Sequence, residues 1–290
     1  MPKMPQITQF TESEIEALYS CPWCHSQSVE YLFSENGFPY CQCRNCTLIY
    51  LQKRVREEHL DMVYTDSYHV AADRAWARRT AEKRLNVLGD LPPGSRIHED
   101  GAGIGAFVSI CRSRGFECTG NDLGIGSIQT AKEIFNLDLV HGPVEAVGLQ
   151  PRSIDVFACF NLLSHVYRPW KYLANISKLL MPGGVLLLRT GDRSGRFRNL
   201  RWGDWSAPEH VFHYTGSVLK DMAATANLTI ERILPAFDSD YPYVFYDYSM
   251  IPGSSLSKKL ARRVSSYSVL LWNVLKLPKD DVFVIARHKS

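Results

Sequence analysis

From residue 95 onward the chain alternates short apolar runs with amphipathic stretches, the pattern that strands and helices in turn produce. Residues 95–100 (S-R-I-H-E-D) and 117–122 (E-C-T-G-N-D) predict the first two strands, and a short third falls near 138–141. The run D-V-F-A-C-F at 155–160 predicts the fourth, and L-L-M-P-G-G-V-L-L-L at 179–188 carries a turn into the fifth. A helix at 216–226, the strand T-I-E-R-I-L at 229–234 and the strand D-V-F-V-I-A-R-H-K at 281–289 complete the series. Such alternation requires a doubly wound α/β sheet.

The flanking segments have other patterns. Residues 1–20 suggest a tether followed by a short helix over T-E-S-E-I-E-A-L, and 53–90 are helical and charged, stopping at L-P-P-G. An insertion between the last two strands holds the aromatic stretch Y-P-Y-V-F-Y-D-Y, then a helix that is basic in its first half and apolar in its second. The chain therefore divides into 1–52, a tether and small cysteine-bearing module; 53–94, a helical cap; and 95–290, an α/β core with an insertion at 236–280.

Composition narrows the class. With 290 residues, 45% hydrophobic and 22% charged, the chain has material for one sizeable core and an appendage. A net charge of +3 gives no bulk attraction to nucleic acid. No apolar run approaches the roughly 20 residues of a membrane span, and the N-terminus lacks a signal core. A cytoplasmic protein with reduced cysteines is the expectation.

The stretch I-H-E-D-G-A-G-I-G-A-F at 97–107 reads as a strand entering a glycine turn and then a helix. Gly101, Gly103 and Gly105 permit unusual torsions and let main chain approach a ligand. Asp122 stands where a ribose-binding acid belongs in a dinucleotide site. Glu99, two residues before the first glycine, would oppose a pyrophosphate yet could hold an ammonium. With the downstream strand, N-L-L-S-H-V (161–166) and the P-G-G hairpin, residues 95–235 resemble the class I S-adenosylmethionine (SAM)-dependent methyltransferases. The family more often carries Asp where Glu99 stands.

The resemblance implies a Rossmann-like sheet with its last strand antiparallel and SAM as cofactor. Glu99 would hold the amino end, Gly101, Gly103 and Gly105 form the wall, and Asp122 the ribose contact. Tyr68 on the cap and Asn161 beyond the fourth strand would join them, with Tyr64, Val144 and Glu145 as further candidate contacts.

Cysteines add a second chemistry. Cys21 and Cys24 form C-P-W-C, Cys43 and Cys46 form C-R-N-C, and the spacing suits two knuckles closing on a tetrahedral Zn²⁺, a zinc ribbon. A redox role for one pair, or participation of Cys41 or His25, is the weaker alternative. Four thiolates leave zinc no open position, so the metal is expected to be structural. Cys111, Cys118 and Cys159 fit buried small hydrophobes.

On the acceptor side, His165 follows the fourth strand at the sheet's carboxyl edge. Arg189, Arg193, Arg196, Arg198 and Arg201 crowd the segment after the fifth, as either an anion-binding cluster or a solvated loop. Farther on, W-G-D-W and E-H-V-F-H-Y-T resemble a segment of zinc-ribbon-bearing methyltransferases, which places His210 with His165 as candidate bases and His213 beside them. Those relatives imply a small-molecule acceptor such as a sugar, nucleotide sugar or natural-product intermediate. Two rival readings stay open: cyclisation or cleavage of SAM itself, and a nucleic-acid- or protein-binding module that methylates a macromolecule. The helix at 255–275 could pack on the core, pair with a second copy in a homodimer, or lie on a membrane surface.

Overall fold

The computed structural model describes residues 5–64, 74–194, 205–236 and 281–289. The strands and helices, in chain order, begin with β1 (Ile15–Ala17), β2 (Val29–Glu35), β3 (Phe38–Cys43), β4 (Ile49–Leu51) and β5 (Lys53–Val55), then α1 (Arg74–Asn86). The α/β series follows as β6 (Arg96–Asp100), α2 (Ala106–Ser113), β7 (Glu117–Asp122), α3 (Ile125–Phe135), β8 (Val140–His141), β9 (Ile154–Phe160), α4 (Pro169–Leu179) and β10 (Leu180–Gly191). The chain then forms β11 (Phe212–His213), α5 (Gly216–Thr225), β12 (Leu228–Pro235) and β13 (Asp281–His288).

Seven strands make the main sheet in the order β12-β13-β10-β9-β6-β7-β8. From β10 to β8 neighbours run parallel, and β13 is antiparallel to both strands beside it, as the resemblance implied. The chain leaves β6 toward β7 and β8 and returns on the other side with β9. That reversal opens a crevice beyond the carboxyl ends of β6 and β9, where an open α/β sheet binds its ligands.

Strand alternation sorts the core into two layers. Val156, Ala158 and Phe160 of β9 pack with Phe107, Val108 and Cys111 of α2 and Ala81 and Leu85 of α1. Phe157 and Cys159, on the other face, pack with Leu173 and Ile176 of α4 and with Val218 and Met222 of α5. The same cluster runs on without interruption into Cys21, Phe38, Tyr40, Leu48 and Leu51 of the N-terminal module. Cys111, Cys118 and Cys159 are buried and all eight cysteines are free, in keeping with small apolar packing.

Two sequence expectations are corrected here. The stretch at 11–18 is a turn followed by strand β1, because Ile15–Ala17 pairs antiparallel with Lys53–Val55 and Glu16 meets Arg54 at 2.7 Å. Eight residues are too few to nucleate a helix without tertiary support, and the cross-strand partner wins. For the same reason the 53–90 segment starts as a strand, not a helix, and its α-helix among the described residues is Arg74–Asn86.

The N-terminal module is not a detached appendage. Its sheet has four strands in the order β11-β4-β3-β2, and the fourth comes from the far side of the core: Phe212 and His213 pair antiparallel with Tyr50 and Ile49. Trp23, inside the first C-x-x-C, lies against Trp170 of α4 with ring centroids 5.7 Å apart.

Candidate active site

The cofactor side is built on backbone. Gly101, Gly103 and Gly105 all have positive φ, +70°, +53° and +76°, a region costly for a side chain. A Cβ on Gly105 would stand 2.7 Å from Leu137 Cδ1, so that glycine lets α2 pack on the core. A Cβ on Gly103 would meet nothing within 4 Å: the turn there faces open space that a ligand can occupy.

Asp122, at the end of β7, braces this turn. One carboxylate oxygen accepts from Gly103 N–H at 2.7 Å and the other from Gly124 N–H at 2.8 Å. Each oxygen keeps a second lone pair, so the bracing leaves acceptor capacity for a ribose. The next residue, Leu123, is 67% exposed, and Ile125 is 44% exposed, giving an apolar surface beside the carboxylate that the sequence reading did not single out.

Glu99 is only 2% exposed, and its Oε2 has no hydrogen-bond partner among the described residues. Burial pushes its carboxyl up to about 8 against the pull of Arg84. A buried carboxyl beside a glycine cradle, short of a donor, fits a ligand that brings a cation.

A polar network behind the turn escaped sequence reasoning. Thr119 Oγ1 and His98 Nδ1 lie 2.8 Å apart, and His98 Nε2 lies 2.8 Å from Asn121 Oδ1. Since Asn121 Oδ1 can only accept, Nε2 carries the proton, and burial holds the imidazole neutral, down to about 4. Asn121 Nδ2 donates to Asp100 at 2.7 Å and to the Gly142 carbonyl, and Tyr172 donates to the other Asp100 oxygen at 2.7 Å. The chain of bonds fixes the ends of β6, β7 and β8 relative to one another. Its trace in the sequence is polar His98, Asp100 and Asn121 inside strands that otherwise pack apolar residues.

The acceptor side assembles from distant stretches. His165 Nδ1 lies 2.8 Å from the Tyr64 hydroxyl, which also stands 3.4 Å from the Glu209 carbonyl. The phenol proton can serve only one of these acceptors. Burial, helped by the Glu209 charge, keeps that phenol protonated well above its ordinary range. The rings of His165 and His210 meet edge to face with centroids 4.6 Å apart. Both imidazoles are half-buried, open enough to meet an acceptor.

His213 is different. It is 3% exposed, its Nε2 donates to the Trp205 carbonyl at 3.3 Å, and burial together with the Arg193 charge keeps it neutral. It packs inside the ribbon sheet and is withdrawn as a pocket residue.

The arginine cluster is also revised. Arg189 lies at the end of β10, 1% exposed, donating to Asp281 at 2.7 Å and to the Asn161 side-chain oxygen. A buried guanidinium needs such partners, so it ties β10 to β13 rather than meeting solvent or substrate. Arg193 is buried under the Trp205 ring at 4.5 Å. Asn161, with φ +58°, is exposed at the crevice but anchored through Arg189. Tyr68, Arg196, Arg198, Arg201 and the 255–275 helix lie outside the described residues.

The cysteine quartet closes as the spacing predicts: one sulfur from each of Cys21, Cys24, Cys43 and Cys46 lies within 4.8 Å of every other. The Cys21–Cys46 and Cys24–Cys43 sulfurs are 3.5 Å apart, too far for a disulfide and close to the roughly 3.8 Å edge of a tetrahedral zinc–thiolate site. The hydrogen bond from Cys46 holds Cys21 down to about 5, while burial raises Cys43 and the Cys21 contact raises Cys46, so the quartet shares one thiolate charge through its sulfur contacts. The quartet thus fits a Zn²⁺.

Residues 71–233, more than half of the chain, match the sequence profile of a family described as methyltransferase domain. The chain belongs to the SAM-dependent methyltransferases. The ubiquinone biosynthesis O-methyltransferase of Psychrobacter arcticus is 30% identical over 183 residues, 57% of this methyltransferase and 67% of that relative. The enzyme of the same name from Xanthomonas campestris is 26% identical over 145 residues, 44% and 61% of the two chains. Among solved structures, the Haloferax volcanii protein in complex with the Trm112 methyltransferase activator superposes with a TM-score of 0.53 at 14% identity, covering 74% of this methyltransferase and 95% of that chain. A SAM-dependent methyltransferase from Mesorhizobium loti gives 0.50 at 18% identity, covering 72% and 98%. These likenesses show the fold. The four cysteines precede the matched region, and no helix among the described residues is long and apolar enough to cross a membrane.

Proposed function

We propose that this methyltransferase alkylates a small-molecule acceptor, with Glu99, the Gly101–Gly105 turn and Asp122 holding SAM and His210 removing the acceptor's proton. The observation that carries this reading is the His165–His210 pair at the carboxyl edge of the sheet, 4.6 Å between ring centroids, backed by Tyr64. When bound, SAM supplies a methyl made electrophilic by its sulfonium.

The protein's own residues do the rest. Glu99 neutralises the cofactor's ammonium, and in doing so loses the proton that burial otherwise keeps on it. Asp122 offers its remaining lone pairs to the ribose while the turn stays braced, Leu123 and Ile125 give the adenine an apolar face, and Asn161 and Tyr68 complete the cofactor contacts. Tyr64 fixes the orientation of His165, which flanks the acceptor. His210, on the segment that closes the ribbon sheet, takes the acceptor's proton as its oxygen, nitrogen or carbon attacks. Zinc at Cys21, Cys24, Cys43 and Cys46 is structural in this scheme. His165 and His210, half-buried beside the segment that joins the ribbon sheet, suit a small molecule better than a macromolecule in this scheme.

Calorimetric titration with S-adenosylhomocysteine tests the cofactor half: saturable binding is expected, weakened about tenfold or more in Asp122→Ala. Binding of NADH in its place overturns the reading. Screening hydroxylated small molecules for S-adenosylhomocysteine release tests the other half, with turnover in His210→Gln falling about a hundredfold at unchanged cofactor affinity.

A further inference from the structure

The segment that carries His210 is held from the ribbon. Asn36 Nδ2 donates to the Ala207 carbonyl at 2.7 Å, Ala207 N–H donates to the Glu35 carboxylate at 2.7 Å, and Leu51 N–H donates to the Val211 carbonyl at 3.0 Å. At the centre of this grip is Tyr40 on β3, fully buried. Its hydroxyl lies 2.6 Å from the Trp205 carbonyl and 2.9 Å from the carbonyl of His210 itself. Its ring packs on Trp205 and His213, with centroids 5.1 and 5.3 Å apart.

We propose that Tyr40 is a positioning residue for His210, and that it ties the imidazole's place against His165 to the metal quartet. The geometry supplies the route. Tyr40 lies on the strand that ends in the ligand Cys43, so closing the quartet fixes that strand, and the strand fixes the hydroxyl. One hydroxyl proton faces two carbonyls on either side of the turn that brings Glu209 and His210 to the crevice. A phenylalanine fills the same space and keeps the aromatic packing but leaves both carbonyls without this donor, freeing the turn to rotate its histidine. Side chains touching the pocket need not change for the pocket to lose its register, since small misplacements of a reacting group are costly.

The inference rests on His210 being the acceptor-side base only for its consequence in turnover; the Tyr40 contacts it is argued from stand apart from that reading. The experiment labels the histidine Cε1 positions with ¹³C in full-length, zinc-loaded protein saturated with S-adenosylhomocysteine. The His210 cross-peak is assigned by its loss in His210→Gln. In Tyr40→Phe that cross-peak is expected to shift by more than its linewidth, and His165 with it. His98, buried behind the glycine turn, should stay in place, with zinc content at one per chain and cofactor affinity unchanged. Unmoved His165 and His210 resonances overturn the proposal, whatever the variant does to melting temperature.

Should Tyr40→Phe not fold, Asn36→Gly serves. Asn36 has φ +52°, which glycine adopts freely, and the change removes the amide that reaches Ala207 together with the side-chain oxygen that accepts from Gln6, outside the segment that carries His210, so the same two resonances should move less far. If the resonances move but His210→Gln leaves turnover intact, the base assignment fails while the positioning stands.

Discussion

The cofactor edge of the crevice takes its shape from a single run, residues 97–107, and a carboxylate that meets Gly103 from 19 positions away. The acceptor edge draws Tyr64 to His165 across 101 positions, and Tyr40 to His210 across 170. One edge is made of backbone torsions held by a few short-range bonds, and the other of side chains held by a sheet that carries the cysteine quartet. The first can be specified by a motif and is shared across a large family. The second depends on which module is attached, and under the proposed function it is the edge that would select the acceptor.

Removing the metal should test that division most severely. Zinc binding to four cysteines contributes on the order of 10 kcal/mol in small domains. The ribbon here shares one apolar cluster with the α4 and α5 face of the sheet. Chelation is therefore expected to lower the melting temperature of the whole chain in one transition, followed by calorimetry. Two separate transitions, with the core melting at its original temperature, would break the comparison.

Next in size are the glycines. Gly105→Ala should cost about 2 kcal/mol in chemical denaturation, from the left-handed backbone and the contact with Leu137 together. Gly103→Ala should cost about 1 kcal/mol, because the new methyl meets no protein atom. Its effect should fall instead on S-adenosylhomocysteine, with affinity lowered about tenfold or more. Equal effects of both changes on stability and affinity would remove the distinction between a packing glycine and a ligand-facing one.

The least conspicuous signature expected is that of Glu99→Gln, a change of slope with pH rather than a loss. Folded Glu99 keeps its proton to about 8, whereas the unfolded side chain releases it near 4.5. Between those values the folded state binds more protons, so this group lowers stability as pH rises through the window. The glutamine variant should show a flatter fall in melting temperature over that range. Ligand titration in two buffers of different ionisation heat should detect a proton released near neutral pH by the wild type and none by the variant.

How far the sequence could be read follows the same line. Most strands of the α/β core fall within a residue or two of where apolar runs place them, because their burial is decided by nearest neighbours in the sheet, while β10 takes in the P-G-G residues and runs three residues further to Gly191. The four cysteines announce their own convergence. Helix 11–18 fails because the stretch's fate is set by Lys53–Val55, and Arg189 misleads because a guanidinium in a strand looks the same in sequence whether it meets substrate or Asp281. His165 and His210 are legible as candidates, yet nothing in their spacing shows that Tyr64 stands behind one and Tyr40 behind the other.

The late arrival of β11 also bears on how the protein is made. Synthesis delivers β2, β3, β4 and all four cysteines early, so metal can close the quartet while most of the chain is still to come. The outer edge of β4 must then wait, its backbone groups unpaired, until Phe212 and His213 reach it. An exposed apolar edge of this kind invites pairing with other chains. Zinc supply and the rate of elongation are therefore expected to act on the yield of folded protein through a strand that neither touches directly.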